Sequence, residues 1–282
     1  MRRGITGACL VAVMAICAIG GSSASAALSP PEYGRCKAQA NGNFYNNGCT
    51  KTTMPGKGKY EWFPAREKGE LTLPKPGFTL ALKPNTTAKF RTQFGETIVC
   101  TSVEGTGDVF LGSRAHVATL TFEGCTSAGG FCTSAGQTPG TIVENPKEPL
   151  DTALGWLSQA KKKVGALLFE SGPKSEQQWL FECSAGSLAL ASIGGIGGQG
   201  IAAVTPSGKM LSSTTLKWKD KDAAPTGRVQ NPEQFEGDSG CYCFQVNLNE
   251  SGPHHHVPGE FIGLTMTLIQ TNEEPVEINP VV

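Results

Sequence analysis

The chain has 282 residues, with 24 basic and 24 acidic side chains and a formal net charge of zero. That balance excludes the broad basic face a nucleic-acid partner requires, and the length allows a sizeable buried core. The 36 glycines and 18 prolines interrupt the chain often, and few stretches hold the 3.6-residue apolar period of a helical protein.

Residues 1–26 read as a secretory signal peptide. Arg2 and Arg3 precede the apolar run Leu10 to Ile19, and Ala24-Ser25-Ala26 offers small residues for cleavage before Ala27. The run is shorter than the ~20 residues a bilayer span needs. No lipobox precedes Cys9 or Cys17, and Glu277 to Val282 has neither a hydrophobic tail nor a wall-sorting motif. The mature chain is therefore expected to be secreted or associated with the cell envelope, with no transmembrane segment.

In that setting Cys36, Cys49, Cys100, Cys125, Cys132, Cys183, Cys241 and Cys243 are disulfide candidates. Spacing favours Cys36–Cys49 around a Gly/Asn-rich loop, Cys125–Cys132 across the Thr-Ser-Ala-Gly-Gly-Phe turn, and Cys100–Cys183 between two apolar strands. Strand-like runs recur at 59–63, 78–82, 97–103 and 116–122. In the last, Val117, Thr119 and Thr121 alternate with Ala118, Leu120 and Phe122. Further runs lie at 164–170, 179–183, 187–193, 201–205, 214–219, 241–248 and 261–271. Leu150, Leu154 and Leu157 share one face of a possible short helix over 151–160. The expectation is an all-β sandwich or barrel of short antiparallel strands with at most one short helix. Residues 27–219 form its β-rich main domain, 220–236 a polar, proline-containing loop or linker, and 237–282 strands that complete the same domain.

Gly195, Gly197 and Gly200, with Asp220 downstream, match a dinucleotide-binding pattern. That pattern must open a helix, and Pro206 and Gly208 follow too soon, so a glycine-rich β turn is the better reading and no cofactor is expected. Lys161-Lys162-Lys163 reads as a solvated turn. Tyr60, Trp62, Phe63, Trp156, Trp179 and Trp218 could form a sugar-binding face but read better as core. Glu32, Glu61, Glu67 and Glu70 single out no acid/base pair.

Two constellations could carry chemistry. Gly237-Asp238-Ser239-Gly240, Ala115-His116 and Asp151-Thr152-Ala153-Leu154 resemble, in order, the nucleophile, base and aspartate segments of trypsin-type serine proteases. The resemblance implies Ser239 as nucleophile, His116 as base and Asp151 as its orienter. Against it, Cys241 and Tyr242 depart from the nucleophile turn, Val117 stands where cysteine is usual, and His116 lies inside a strand. Asp151 then reads as a helix N-cap. The second is Cys241 and Cys243, on one face of a strand, with His254, His255 and His256 in a following loop; this set suits zinc or copper(I). A disulfide beside a solvated histidine loop is the plainer reading.

Several ordered segments carry a wider resemblance: Pro31-Glu32-Tyr33-Gly34-Arg35-Cys36, Tyr60-Glu61-Trp62, Thr121-Phe122-Glu123-Gly124-Cys125, Phe181-Glu182-Cys183, Phe235-Glu236-Gly237, and the ending from Thr271 to Asn279. Together they resemble an uncharacterised family of secreted, cysteine-containing β-rich proteins from soil actinobacteria of the Solirubrobacter kind. The resemblance implies export and a β fold, and no catalytic activity. The expected function is that of a non-enzymatic, structural or binding protein acting on an extracellular partner or envelope component. A serine hydrolase and a metal-binding protein are the alternatives.

Overall fold

Alternating and β-branched segments cut by glycine and proline favour strands over helices, and the described residues form strands and turns with no helix. The computed structural model describes residues 29–64, 75–92, 97–144, 150–170, 178–184, 193–220, 230–232, 234–236, 244–249 and 260–279. The strands begin with β1 (Glu32–Gly42), β2 (Gly58–Pro64), β3 (Gly77–Leu82), β4 (Ala88–Thr92), β5 (Thr97–Cys100), β6 (Ser102–Leu111) and β7 (Arg114–Glu123). There follow β8 (Thr126–Ser127), β9 (Gly130–Thr133), β10 (Ile142–Val143), β11 (Leu150–Ser158), β12 (Lys163–Glu170) and β13 (Trp179–Cys183). The last are β14 (Ile193–Gly198), β15 (Gly200–Thr205), β16 (Met210–Asp220), β17 (Gln230–Asn231), β18 (Phe244–Asn249) and β19 (Glu260–Asn279).

Antiparallel pairing closes eight of these strands into a barrel, in the order β19, β3, β6, β7, β11, β12, β15, β16 and back to β19. Closure removes the open edges that a flat sheet of this size would expose. A second circuit of pairings runs from β19 through β4, β5, β8, β9, β13, β14 and β18 and returns to β19. The 20-residue β19 serves both. Glu260 to Thr265 pair in the second ring, and Met266 to Thr271 pair with β16 in the barrel.

Phe78, Leu80, Val117, Leu120, Leu168 and Leu268 fill the barrel. Tyr33 enters it from β1, and burial pushes its phenol up to about 12 against an opposing hydrogen bond with Thr152. About 20 Å³ stays free among these side chains, Thr152 and Gln270, room for about one water. Hairpin β1–β2 is fastened to β19 by Arg35 Nη1 to Glu274 Oε1 (2.6 Å) and by Trp62 Nε1 donating to Glu277 Oε2 (2.9 Å). The core of the second ring holds Phe90, Phe122 and Trp179, edge to face or tilted with centroids 5.1 to 6.1 Å apart. Such pairs contribute about 0.5–1.5 kcal/mol each beyond area burial. On the outside of the barrel Ser213, Thr271, Thr79, Thr106 and Thr119 form one exposed register row across five strands.

The all-β expectation holds, and four finer expectations are corrected. Residues 151–160 belong mostly to β11, not to a helix: from Leu150 to Trp156 every residue but Ala153 is buried, and β7 and β12 pair on either side. Leucines four apart fit both periods, and a lone helix that short is marginal in water, so sheet pairing decides. Alternation in β7 breaks at Ala118, where Thr119 pairs with Thr106 but Val117 with Gly107. This bulge turns Val117 inward together with Leu120 and Phe122. Gly195 and Gly197 lie within strand β14, and Gly200 opens β15, so the glycine-rich stretch is strand rather than turn.

The fourth correction concerns the disulfides. Cys36–Cys49 forms, but the other two bridges among the described residues are Cys100–Cys125 and Cys132–Cys183. The pairing of Val99 with Thr126 brings Cys100 beside Cys125, and Cys132 and Cys183 are direct cross-strand partners on β9 and β13. Both pairs stand with Cα atoms 4.0 Å apart. Within the polar segment 220–236, the buried Gln230 amide bonds to Lys219 and Leu264 backbone, and Phe235 covers Gly155 on β11.

Candidate functional site

Register places three ionisable side chains in one row outside the barrel. Asp108 on β6 is opposite His116 on β7, and His116 is opposite Asp151 on β11. His116 faces outward because its neighbours Ala115 and Val117 face the core. Its Nδ1 lies 3.0 Å from Asp151 Oδ1, with the imidazole 35% and the carboxylate 12% exposed. A carboxylate accepts and does not donate, so Nδ1–H is the donor in this bond. Lys75 Nζ, 3.1 Å from Asp108 Oδ1, closes one end of the row.

Glu144 lies just beyond β10, which pairs with β7 at Thr121 and Phe122. Burial pushes its carboxyl up to about 7, opposed by the charge of His116 and a hydrogen bond from the Leu120 backbone. Its Oε2 is buried with no hydrogen-bond partner among the described residues. Glu144 also bridges to Trp179 of the second ring.

The structure thus joins two of the three residues matched to a protease triad and removes the helix-cap reading of Asp151. Ser239, the supposed nucleophile, lies outside the described residues, as do Cys241, Cys243 and the His254–His256 loop. Among the described residues no group of His, Cys, Asp and Glu side chains has the geometry to hold a metal ion. Comparison with protein-family models, with curated proteins and with solved structures finds no match for this chain.

A second site has a different chemistry. Beside the Cys132–Cys183 bridge, the 134–139 turn and β13 enclose an open groove of about 530 Å³. Phe131 on β9 is 52% and Leu180 on β13 is 37% exposed, and both border it. Pro139 adds apolar wall, and Gln137, Glu182 and Ser184 supply the polar rim. The turn is stiff: Ser134 Oγ donates to Leu180 O and accepts from Val143 N, and Thr133 Oγ1 accepts from Gly140 N.

Glu144, Asp108 and the groove residues escape sequence reasoning. Nothing local in Glu144 or Asp108 differs from a solvated carboxylate, and only strand register brings them to His116. Phe131 reads as part of a turn until β9 and β13 pair.

Proposed function

We propose that this is an exported, disulfide-stapled β-barrel protein that acts by binding, and that its ligand seat is the groove beside Cys132–Cys183. The observation that carries this reading is the exposure of Phe131 and Leu180 in one concavity. Exposed apolar side chains gathered in a groove of this volume are typical of interaction sites. Three intramolecular disulfides are consistent with a non-cytoplasmic protein, and the signal-like residues 1–26 motivate export. No helix among the described residues is long and apolar enough to cross a membrane.

The test uses N-phenylnaphthylamine, a neutral dye that brightens in apolar sites. Wild-type protein should enhance its emission, and a folded Phe131→Ser/Leu180→Ser variant should not. Equal enhancement by both proteins discards the groove.

One observation favours a second reading, a serine hydrolase. The 3.0 Å contact between His116 Nδ1 and Asp151 Oδ1 is the base-to-orienter half of such a triad. Fluorophosphonate labelling of wild type but not of Ser239→Ala would support it. No labelling of wild type discards it.

A further inference from the structure

We propose that the groove beside Cys132–Cys183 selects an apolar molecule that carries a positive charge, with Glu182 as the selecting residue; this rests on the binding reading above. The argument is an accounting of the polar groups along the wall. The hydroxyls of Thr133 and Ser134 are already engaged by Gly140 N, Val143 N and Leu180 O. The backbone follows suit: Ser134 N donates to Thr141 O, Gln137 N to Ser134 O, and Ser184 N to Phe131 O. These groups stiffen the wall and have little left to offer a ligand.

What remains among the described residues is an apolar surface, two neutral side chains and one carboxylate. Glu182 stands opposite Thr133 and two residues from Leu180, so its side chain leaves β13 on the same outward face as the apolar patch. Among the described residues no ion pair engages it, and no lysine, arginine or histidine lines the groove. A ligand with an anionic group would meet repulsion here, and a neutral one would gain no charge attraction from Glu182. An aliphatic or aromatic body ending in an ammonium group satisfies both parts of the wall. Glu182 is exposed, so its preference is modest and salt-dependent.

The experiment compares decyltrimethylammonium with undecanoate, two probes with the same decyl chain and opposite charge, below their micellar concentrations. Binding to the full-chain protein is read by titration calorimetry at low and high salt. Wild type should prefer the cation by about tenfold at low salt, and Glu182→Gln should bring the ratio close to one. Phe131→Ser should weaken both probes. Both substitutions are at exposed positions, and circular dichroism checks that each variant folds.

Equal binding of the two probes by wild type, with both weakened by Phe131→Ser, overturns the charge selection and leaves the groove reading standing. Binding that Phe131→Ser does not change, or no binding at all, overturns both. A concentration-dependent dimer in sedimentation that Phe131→Ser abolishes assigns the groove to a second copy of the chain and also overturns the proposal.

Discussion

His116 and Asp151 face one another from directly opposed positions on β7 and β11, with Nδ1 and Oδ1 3.0 Å apart. The bond ties an outward-facing histidine to a nearly buried carboxylate. Asp151→Asn removes the charge while keeping the shape. In wild type, imidazole NMR should show the Nδ1-protonated tautomer; the variant should show a mixture and lose about 1 kcal/mol of stability. An identical imidazole spectrum in the two proteins would mean the bond does not form in solution.

Glu144 gives the fold a defined pH dependence. Its carboxyl is raised from 4.5 to about 7 by burial, so the folded state favours the protonated form. The stability it contributes is fully present below about pH 4.5 and is lost as pH rises through about 7. Glu144→Gln keeps the neutral form at every pH. The variant should match wild type in melting temperature near pH 4 and exceed it near pH 8.5, and parallel melting curves across that range would count against the assignment. Burial also raises Glu277, against the hydrogen bond from Trp62, so some pH dependence of the same sign should survive in the variant.

The two buried bridges of the second ring and the surface bridge of the β1–β2 hairpin differ in the loops they close. Cys132–Cys183 spans 51 residues and Cys36–Cys49 spans 13. In the chain-entropy view, their removal costs about 4 and about 3 kcal/mol respectively. Cys132→Ser/Cys183→Ser should also abolish binding of the apolar dye, because β9 and β13 form the groove. Cys36→Ser/Cys49→Ser should leave dye binding intact. Chemical denaturation and dye titration of both variants check the two parts separately.

Gly34 is required by close packing. A Cβ there would lie 2.1 Å from Trp62 Cζ2, so the indole of Trp62 can sit against β1 only over a glycine. Gly34→Ala should push the ring away from Glu277, shift its Nε1–H resonance and cost about 1–3 kcal/mol. An unshifted indole resonance would show that the ring does not rest there.

Local pattern carried much of the strand inventory. The run 179–183 coincides with β13, and 78–82 lies within β3. It failed where two patterns overlap. Leu150 and Leu154 satisfy helix and strand periods alike, and the bulge at Ala118 cannot be read from alternation because the extra residue is defined only against β6. Cysteine spacing found the hairpin bridge but not the two in the second ring, whose partners are chosen by register rather than by separation along the chain.

By itself the sequence determined the all-β class and the set of cysteines open to pairing. These follow from composition and short-range spacing, which act within a few residues. Only the tertiary structure decided that β19 links two closed rings, that Asp108 and Asp151 stand on either side of His116, and that Phe131, Leu180 and Glu182 border one groove. Each of these depends on which strands pair and in what register, a choice made by burying both ring interiors at once.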